Sequence, residues 1–262
     1  MVRANGVIVN ADDFGKNESV NQAILEAFQK NYIHRTTLMT NMPAAKQAVE
    51  LVKQAGLDGK VGIHLNLTEG KPLTDSIRKN PLFCDENGVF HAGFHKSTKS
   101  RIIMDQQSVL QMREELRAQL AKYAAWGLTL WHLDSHHHVH TNYPVFRALK
   151  PLQKEHAFAS IRLSRNLYQG GNALMNLYKS RYNAAVKKCC KETTEFFGSY
   201  RDCMEYFGNT DQFGEVTEAI KQDFSRFVRM HSLEIMVHPM YDTEGRLTDT
   251  DVLMEREAAL YG

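Results

Sequence analysis

The sequence predicts an α/β protein built as a distorted or incomplete (β/α) barrel of about seven parallel strands. Three observations predict it. Apolar runs of strand length alternate with helical patterns along the chain, the sign of parallel strands joined by helical crossovers. No G-x-G-x-x-G follows the first of these runs, so a dinucleotide fold lacks its fingerprint. In Gly62–Thr68 the even positions are polar or small and the odd ones aliphatic. One face of that strand wants a polar interior and the other wants helices, as in a barrel with functional residues at the strand C-termini.

The elements follow in order. Gly6–Ala11 reads as a strand, and Glu18–Asn31 as a helix with Val20, Ile24, Leu25 and Phe28 at helical spacing. Thr36–Asn41 is a second strand. Pro43 suits a first helical position, and the helix Ala44–Ala55 stops at Gly56. Val61–Thr68 is the third strand. A long helix, Gln107–Trp126, ends at Gly127 and leads to the strand Leu128–Asp134. A helix from Pro144 to His156 precedes a fifth strand, Ser160–Ser164. A strand near Asp202–Phe207, a helix over Glu215–Met230 and a last strand, Leu233–Val237, complete the pattern. The length suits one catalytic domain over 1–262, interrupted at about 68–106 and 166–200. The second interruption is basic, rich in tyrosine and helical over Ala173–Lys191. Long segments after strand C-termini build substrate walls more often than new domains.

Composition excludes several classes. Apolar residues are 43% and charged residues 24%, as in ordinary globular proteins. A net charge of only +2 argues against a general nucleic-acid binder, which needs a surplus of cations to neutralise phosphates. No run of 18 apolar residues reads as a membrane span, and no signal peptide opens the chain. Cys84, Cys189, Cys190 and Cys203 include an adjacent pair and no CxxC, which suits free thiols in a reducing, cytoplasmic setting.

Four segments at predicted strand ends carry chemistry: Asn10–Gly15, Gly62–Thr68, Leu133–His140 and Val237–Pro239. Asp12 and Asp13 are adjacent carboxylates, which repel unless a cation or a shared proton intervenes. Asn17 and Ser19 lie nearer the following helix, so neither Asp is needed as its cap. A metal ligand beside a general base accounts for the pair. His64 alone reads as a core histidine. Four histidines and Asp134 within seven residues are hard to explain as packing; imidazole suits Zn²⁺, and added carboxylate oxygens widen the choice to Mg²⁺ or Mn²⁺. Asp134 is a candidate acceptor for an imidazole N–H. One Asp and two His leave coordination positions open for water and substrate, which is the catalytic pattern. Together these residues point to metal-assisted hydrolysis of a carbonyl or phosphoryl group.

The stretches VIVNADDFG (7–15), GIHLNLTEGKPL (62–73), WHLDSHHHVH (131–140), Ile161-Arg162 and VHP (237–239) resemble the YdjC/ChbG-like carbohydrate deacetylases. The resemblance runs from position 7 to 239 and implies a barrel related to polysaccharide deacetylases. It implies one divalent ion, Mg²⁺ or Zn²⁺, and removal of acetyl from N-acetylated sugars such as chitin-derived oligosaccharides. It implies Asp13, His64 and His136 as metal ligands, Asp12 as base, Arg162 as the partner of that base and His238 as general acid. His138 is the alternative acid, and with Asn66 and Tyr143 it is assigned to substrate. Trp131 reads as packing, while Lys71, Lys179, Arg181, Lys187 and Lys188 could meet a phosphorylated sugar. A homodimer is implied, and the end at Gly262, after a final helix over Thr248–Leu260, suggests that a closing strand is absent. A phosphoesterase or peptidase with the same ligands, and a non-catalytic metal- or sugar-binding protein, are the rival readings.

Overall fold

A computed structural model describes residues 6–167, 172–208, 215–250 and 252–261. Along them run β1 (Gly6–Phe14), α1 (Glu18–Gln29), β2 (Arg35–Leu38), α2 (Ala45–Gln54), β3 (Val61–Leu65), the single-turn α3 (Asp75–Arg78) and α4 (Gly93–Lys96), and α5 (Gln106–Ala125). Then come β4 (His132–Ser135), a 3-10 segment (His136–Thr141), α6 (Tyr143–His156), β5 (Ser160–Ile161), α7 (Ala173–Cys189), β6 (Phe196–Ser199) and α8 (Tyr200–Tyr206). Last are α9 (Glu218–Met230), β7 (Ser232–Val237), β8 (Pro239–Tyr241), β9 (Leu247–Asp249), β10 (Val252–Leu253) and α10 (Met254–Tyr261). Strands β1 to β7 belong to one seven-stranded sheet, so the α/β class and the strand number are those expected.

The chain forms two compact units. One comprises Met1–Asp12, Ser19–Thr36 and Ala159–Gly262, the other Asp13–Glu18 and Thr37–Phe158. In the first unit β7 lies between β1 and β6, parallel to both, with Val9 opposite Ile235 and Gly198 opposite Ile235 on the other side. Along β7 the apolar Leu233, Ile235 and Val237 alternate with Glu234 and Met236, as a strand's period of two requires. Helix α9 buries Ile220, Phe224 and Phe227, one stripe of its surface, and packs against β7. Burying each such side chain contributes about 1.5–3 kcal/mol.

In the second unit β3 and β4 are parallel neighbours. Their register sets Ile63 against Leu133, His64 against Asp134 and Leu65 against Ser135. Helix α5 starts at Asp105, whose carboxylate accepts the Ser108 N–H, and buries Met112, Leu116, Leu120 and Tyr123. Two polar residues on that helix are buried with a purpose. Glu115 accepts the N–H groups of Leu73 and Thr74, and the Gln119 side chain brackets the Asn66 backbone. The segment after β3 is therefore pinned to α5 at its start. Gly15 explains how the chain leaves β1. Its φ is +89°, and a Cβ there would lie 3.0 Å from Leu38 Cδ1 and 3.1 Å from Ala45 Cα.

Three expectations are corrected. Asp202–Phe207 is not a strand. Ser199 and Asp202 form a reciprocal capping box that starts α8, and the strand is β6, which ends at Ser199 just before it and pairs with β7. The stretch 166–200 thus contains a sheet strand as well as a helix. Leu128–Trp131 falls outside the fourth strand, because the Leu130 carbonyl accepts from the Tyr123 hydroxyl and from the His132 N–H. The final helix is only Met254–Tyr261; before it the chain makes an antiparallel sheet of β8, β9 and β10. Asp242 closes the β8–β9 turn by accepting the N–H groups of Glu244 and Arg246.

Gly15→Ala should destabilise the protein by about 1–3 kcal/mol, since the added methyl meets backbone and core atoms in a conformation L-residues avoid. Urea unfolding measures it, and an unchanged midpoint would contradict the packing described.

Candidate active site

The second unit gathers Asp13, His64 and His136. One ligand atom of each lies within 4.8 Å of the others. Asp13 Oδ1 is 3.2 Å from His64 Nε2 and 2.8 Å from His136 Nδ1. The sheet explains His64: it sits opposite Asp134 in the β3–β4 ladder, so its Nδ1 is 2.7 Å from Asp134 Oδ1. Thr37 donates to the other Asp134 oxygen at 2.9 Å. With Nδ1 turned to a carboxylate, Nε2 is the nitrogen left for an ion. His136 uses the opposite arrangement. Its Nε2 lies 2.9 Å from Glu69 Oε2, and its Nδ1 faces Asp13. Lys16 joins this group, 3.0 Å from Glu69 and 3.5 Å from Asp13.

Backbone strain accompanies these residues. Asp13 has φ +66°, His137 +53° and His138 +54°, a region that Asp and His enter more readily than most side chains but still at a cost. Asp13 therefore leaves the extended conformation at the point where strict alternation would continue. Its burial opposes ionisation, but hydrogen bonds from His136 and His64 outweigh it and hold the carboxyl far below the usual range. His136 hydrogen-bonding lowers Glu69 to about 2. Burial disfavours charge on His136, yet Asp13 and Glu69 together raise its pKa above the ordinary histidine value. Neighbouring His137 goes the other way, down to about 4, through burial and the adjacent His136. Two imidazoles and a carboxylate, each imidazole backed by a second carboxylate, fit a divalent ion.

The first unit holds a closed ring of buried charge. Asn10 and Asp12 are two apart in β1 and so share a face. Asp12 takes both oxygens to Arg162, at 2.6 and 2.7 Å, a bidentate fork. Arg162 Nε donates to Glu234 at 2.6 Å; Arg35 reaches the other Glu234 oxygen at 2.8 Å and Asn10 Oδ1 at 2.8 Å. Asn10 Nδ2 then returns to Asp12 at 2.9 Å. Arg162 is 0% exposed and stacks on Phe197, 4.9 Å from the ring centre. Two guanidinium groups and two carboxylates balance. His238 stands just after β7, its Nε2 4.0 Å from Asp12 and its Nδ1 3.5 Å from Asp249, which also accepts the His238 N–H at 2.8 Å.

The remaining expected residues land elsewhere. Asn66 is buried and spends its amide on its own loop: Nδ2 donates to the Glu69 carbonyl at 2.7 Å, and Oδ1 accepts the Thr68 and Glu69 N–H groups. Tyr143 is 45% exposed under the Arg147 guanidinium and lines a cavity of about 590 Å³ with Ile102, Ile103 and Arg113. No contact of Tyr143 among the described residues joins it to Asp13, His64 or His136. His138 lies edge-on to His140. Trp131 packs between Tyr123, His156 and Phe158. Sequence reasoning missed Glu69, Lys16, Glu234, Arg35 and Asp249. Glu234 left a signal, a lone carboxylate inside an otherwise apolar strand. No helix of the described residues is long and apolar enough to cross a membrane.

Comparison with known proteins adds the family. The model of the family described as "YdjC-like protein" matches residues 6–261. The chain is 42% identical over 149 residues to a carbohydrate deacetylase of Geobacillus stearothermophilus, covering 57% of this chain and 56% of that protein. It is 39% identical over 150 residues to one of Clostridium beijerinckii, covering 57% of each. In these relatives the match spans little more than half of their length. With a carbohydrate deacetylase of Brevibacillus brevis the identity is 31% over 258 residues, 97% of this chain and 89% of the relative. Among solved structures, a protein of Enterococcus faecalis V583 described as a cellobiose-phosphate cleavage protein superposes with a TM-score of 0.65 at 21% identity, covering 99% of this chain and 91% of that one.

Asp134→Asn and Glu69→Gln should each lower affinity for a divalent ion about 10–100-fold, because each frees a ligand imidazole to rotate. Calorimetric titration with Zn²⁺ measures this, and wild-type affinity in both variants would contradict it. A proton held on His136 must leave as an ion enters, so affinity should rise with pH through neutrality and fall on acidification. Repeating the titration from pH 6 to pH 8 checks that sign.

Proposed function

The chain belongs to the YdjC-like protein family, and on that premise we propose that it is a metal-dependent carbohydrate deacetylase. Its substrate class is N-acetylated amino sugars, and it hydrolyses the acetamide to acetate and a free sugar amine. The observation that carries the metal dependence is the convergence of Asp13, His64 and His136, with carboxylates behind both imidazoles. The curated relatives' description as carbohydrate deacetylases supports the substrate class.

Asp13, His64 and His136 would hold one divalent ion, Zn²⁺ or Mg²⁺. When bound, such an ion acidifies water and polarises an acetyl carbonyl oxygen. Asp12 accepts a proton as water adds to the carbonyl carbon. Its fork with Arg162 fixes the carboxylate and keeps it charged beforehand, so its orientation costs nothing when the reaction begins. His238 then gives a proton to the nitrogen as the carbon–nitrogen bond breaks. Asp249 steadies that imidazole from its Nδ1 side. Asn66 serves the reaction indirectly, by fixing the loop that carries Glu69.

Asp12→Asn should cut acetate release about 10²–10⁴-fold while the protein still binds its ion. Mass spectrometry of metal-loaded protein with N-acetylglucosamine, chitobiose and phosphorylated chitobiose reads acetyl loss; elemental analysis reads the ion. Normal turnover in the variant would remove Asp12 from the base role. Phosphate release without acetyl loss would turn the reading toward a phosphoesterase.

A further inference from the structure

The cavity beside His238 contains a buried acid that the mechanism leaves unused. It measures about 400 Å³ and is lined by Arg165, Tyr200, His238, Asp249 and Glu257, among others. Asp249 reaches His238 because the β8–β9 register sets Asp249 against Pro239, the next residue. Glu257 comes from α10, which packs on β9, is 1% exposed, and lines the same cavity as Asp249. Two carboxyl groups that line one buried cavity repel while both are charged, and a proton on either one lets it donate to the other.

The surroundings say which one. Asp249 accepts the His238 N–H and faces the imidazole, both of which satisfy negative charge. Glu257 has no such partners: its Oε2 makes no hydrogen bond among the described residues. Tyr200, Cys203 and Tyr261 near it are all pushed upward by burial, so none supplies a charge. The two arginines lining the cavity are engaged, Arg165 with Asp202 at 3.5 Å and Arg201 with Glu205 at 3.1 Å. Burial and the nearness of Asp249 likewise raise the Glu257 carboxyl well above the carboxylate range. An isolated anion there would be far costlier than a neutral acid.

We propose that Glu257 is a positioning residue for His238: its carboxyl O–H donates to Asp249, and Asp249 in turn holds the imidazole at Nδ1. Nε2 is then the nitrogen presented for proton transfer. This rests on the deacetylase reading, in which His238 is the acid. The arrangement gives the C-terminal helix a part in the reaction without any contact with substrate.

Infrared spectroscopy at pH 7 tests the proton directly. The wild-type protein should show the carbonyl stretch of a protonated carboxylic acid, and E257Q should lose it. In kinetics E257Q, which keeps a donor toward Asp249, should retain kcat within about threefold, whereas E257M should lose about tenfold to a hundredfold in kcat with KM nearly unchanged. Circular dichroism confirms that each variant is folded; should E257M fail to fold, the infrared comparison with E257Q decides. Absence of the band, or wild-type kcat in folded E257M, would overturn the proposal. A wild-type protein that releases no acetate would defeat the deacetylase reading alone, because the infrared band reports the proton without turnover.

Discussion

Charge buried without water has to be closed on itself, and in this protein the fork between Arg162 and Asp12 is where that closure is made. Desolvating a guanidinium and a carboxylate costs several kcal/mol per ion, which their attraction offsets only when the geometry is good and every remaining hydrogen-bonding site is used. Here it is used. Asp12 receives two bonds from Arg162 and one from Asn10, while Glu234 divides its oxygens between Arg162 and Arg35. Four segments, β1, β2, the end of β5 and β7, each contribute to the ring. The apolar alternation that builds the strands also determines which polar side chains share a face. Sheet register and the geometry of this ring are therefore one problem, solved once.

The cluster around Asp13 follows a different logic. Asp13, His64 and His136 are each held by a second group rather than by one another alone. Ladder pairing gives His64 its carboxylate in Asp134, and a loop clamped by Asn66 gives His136 its carboxylate in Glu69. The positive φ values at Asp13, His137 and His138 are the local cost of aiming side chains where regular backbone would not.

Periodicity made most of the fold legible. The strands at Gly6, Val61 and Ser232 and the helices α1, α5 and α9 follow from apolar spacing, the helices each burying one face and the strands at Val61 and Ser232 being buried throughout. What periodicity could not read were elements whose partners are distant. Phe196–Ser199 is too short to stand out from its basic surroundings, and β8 and β9 exist because a turn at Asp242 folds them together. The site divides in the same way. Asp12, Asp13 and the histidine run are local signals, strong in composition alone. His64 needed a family resemblance, because a histidine in an apolar strand looks like core until its cross-strand neighbour is known. Glu69, Arg35 and Asp249 carry no local signal at all: the partners of Glu69 and Arg35 lie tens of positions away, and Asp249 meets His238 only through the β8–β9 hairpin.

The proposed activity requires Asp13, His64 and His136 to hold one ion together. Anomalous diffraction from crystals equilibrated with Zn²⁺ tests that most directly. A strong peak is expected, bonded to the Asp13 carboxylate, His64 Nε2 and His136 Nδ1, with open positions on the ion. A peak bonded to other residues, or none at these three in a well-diffracting crystal, would contradict it.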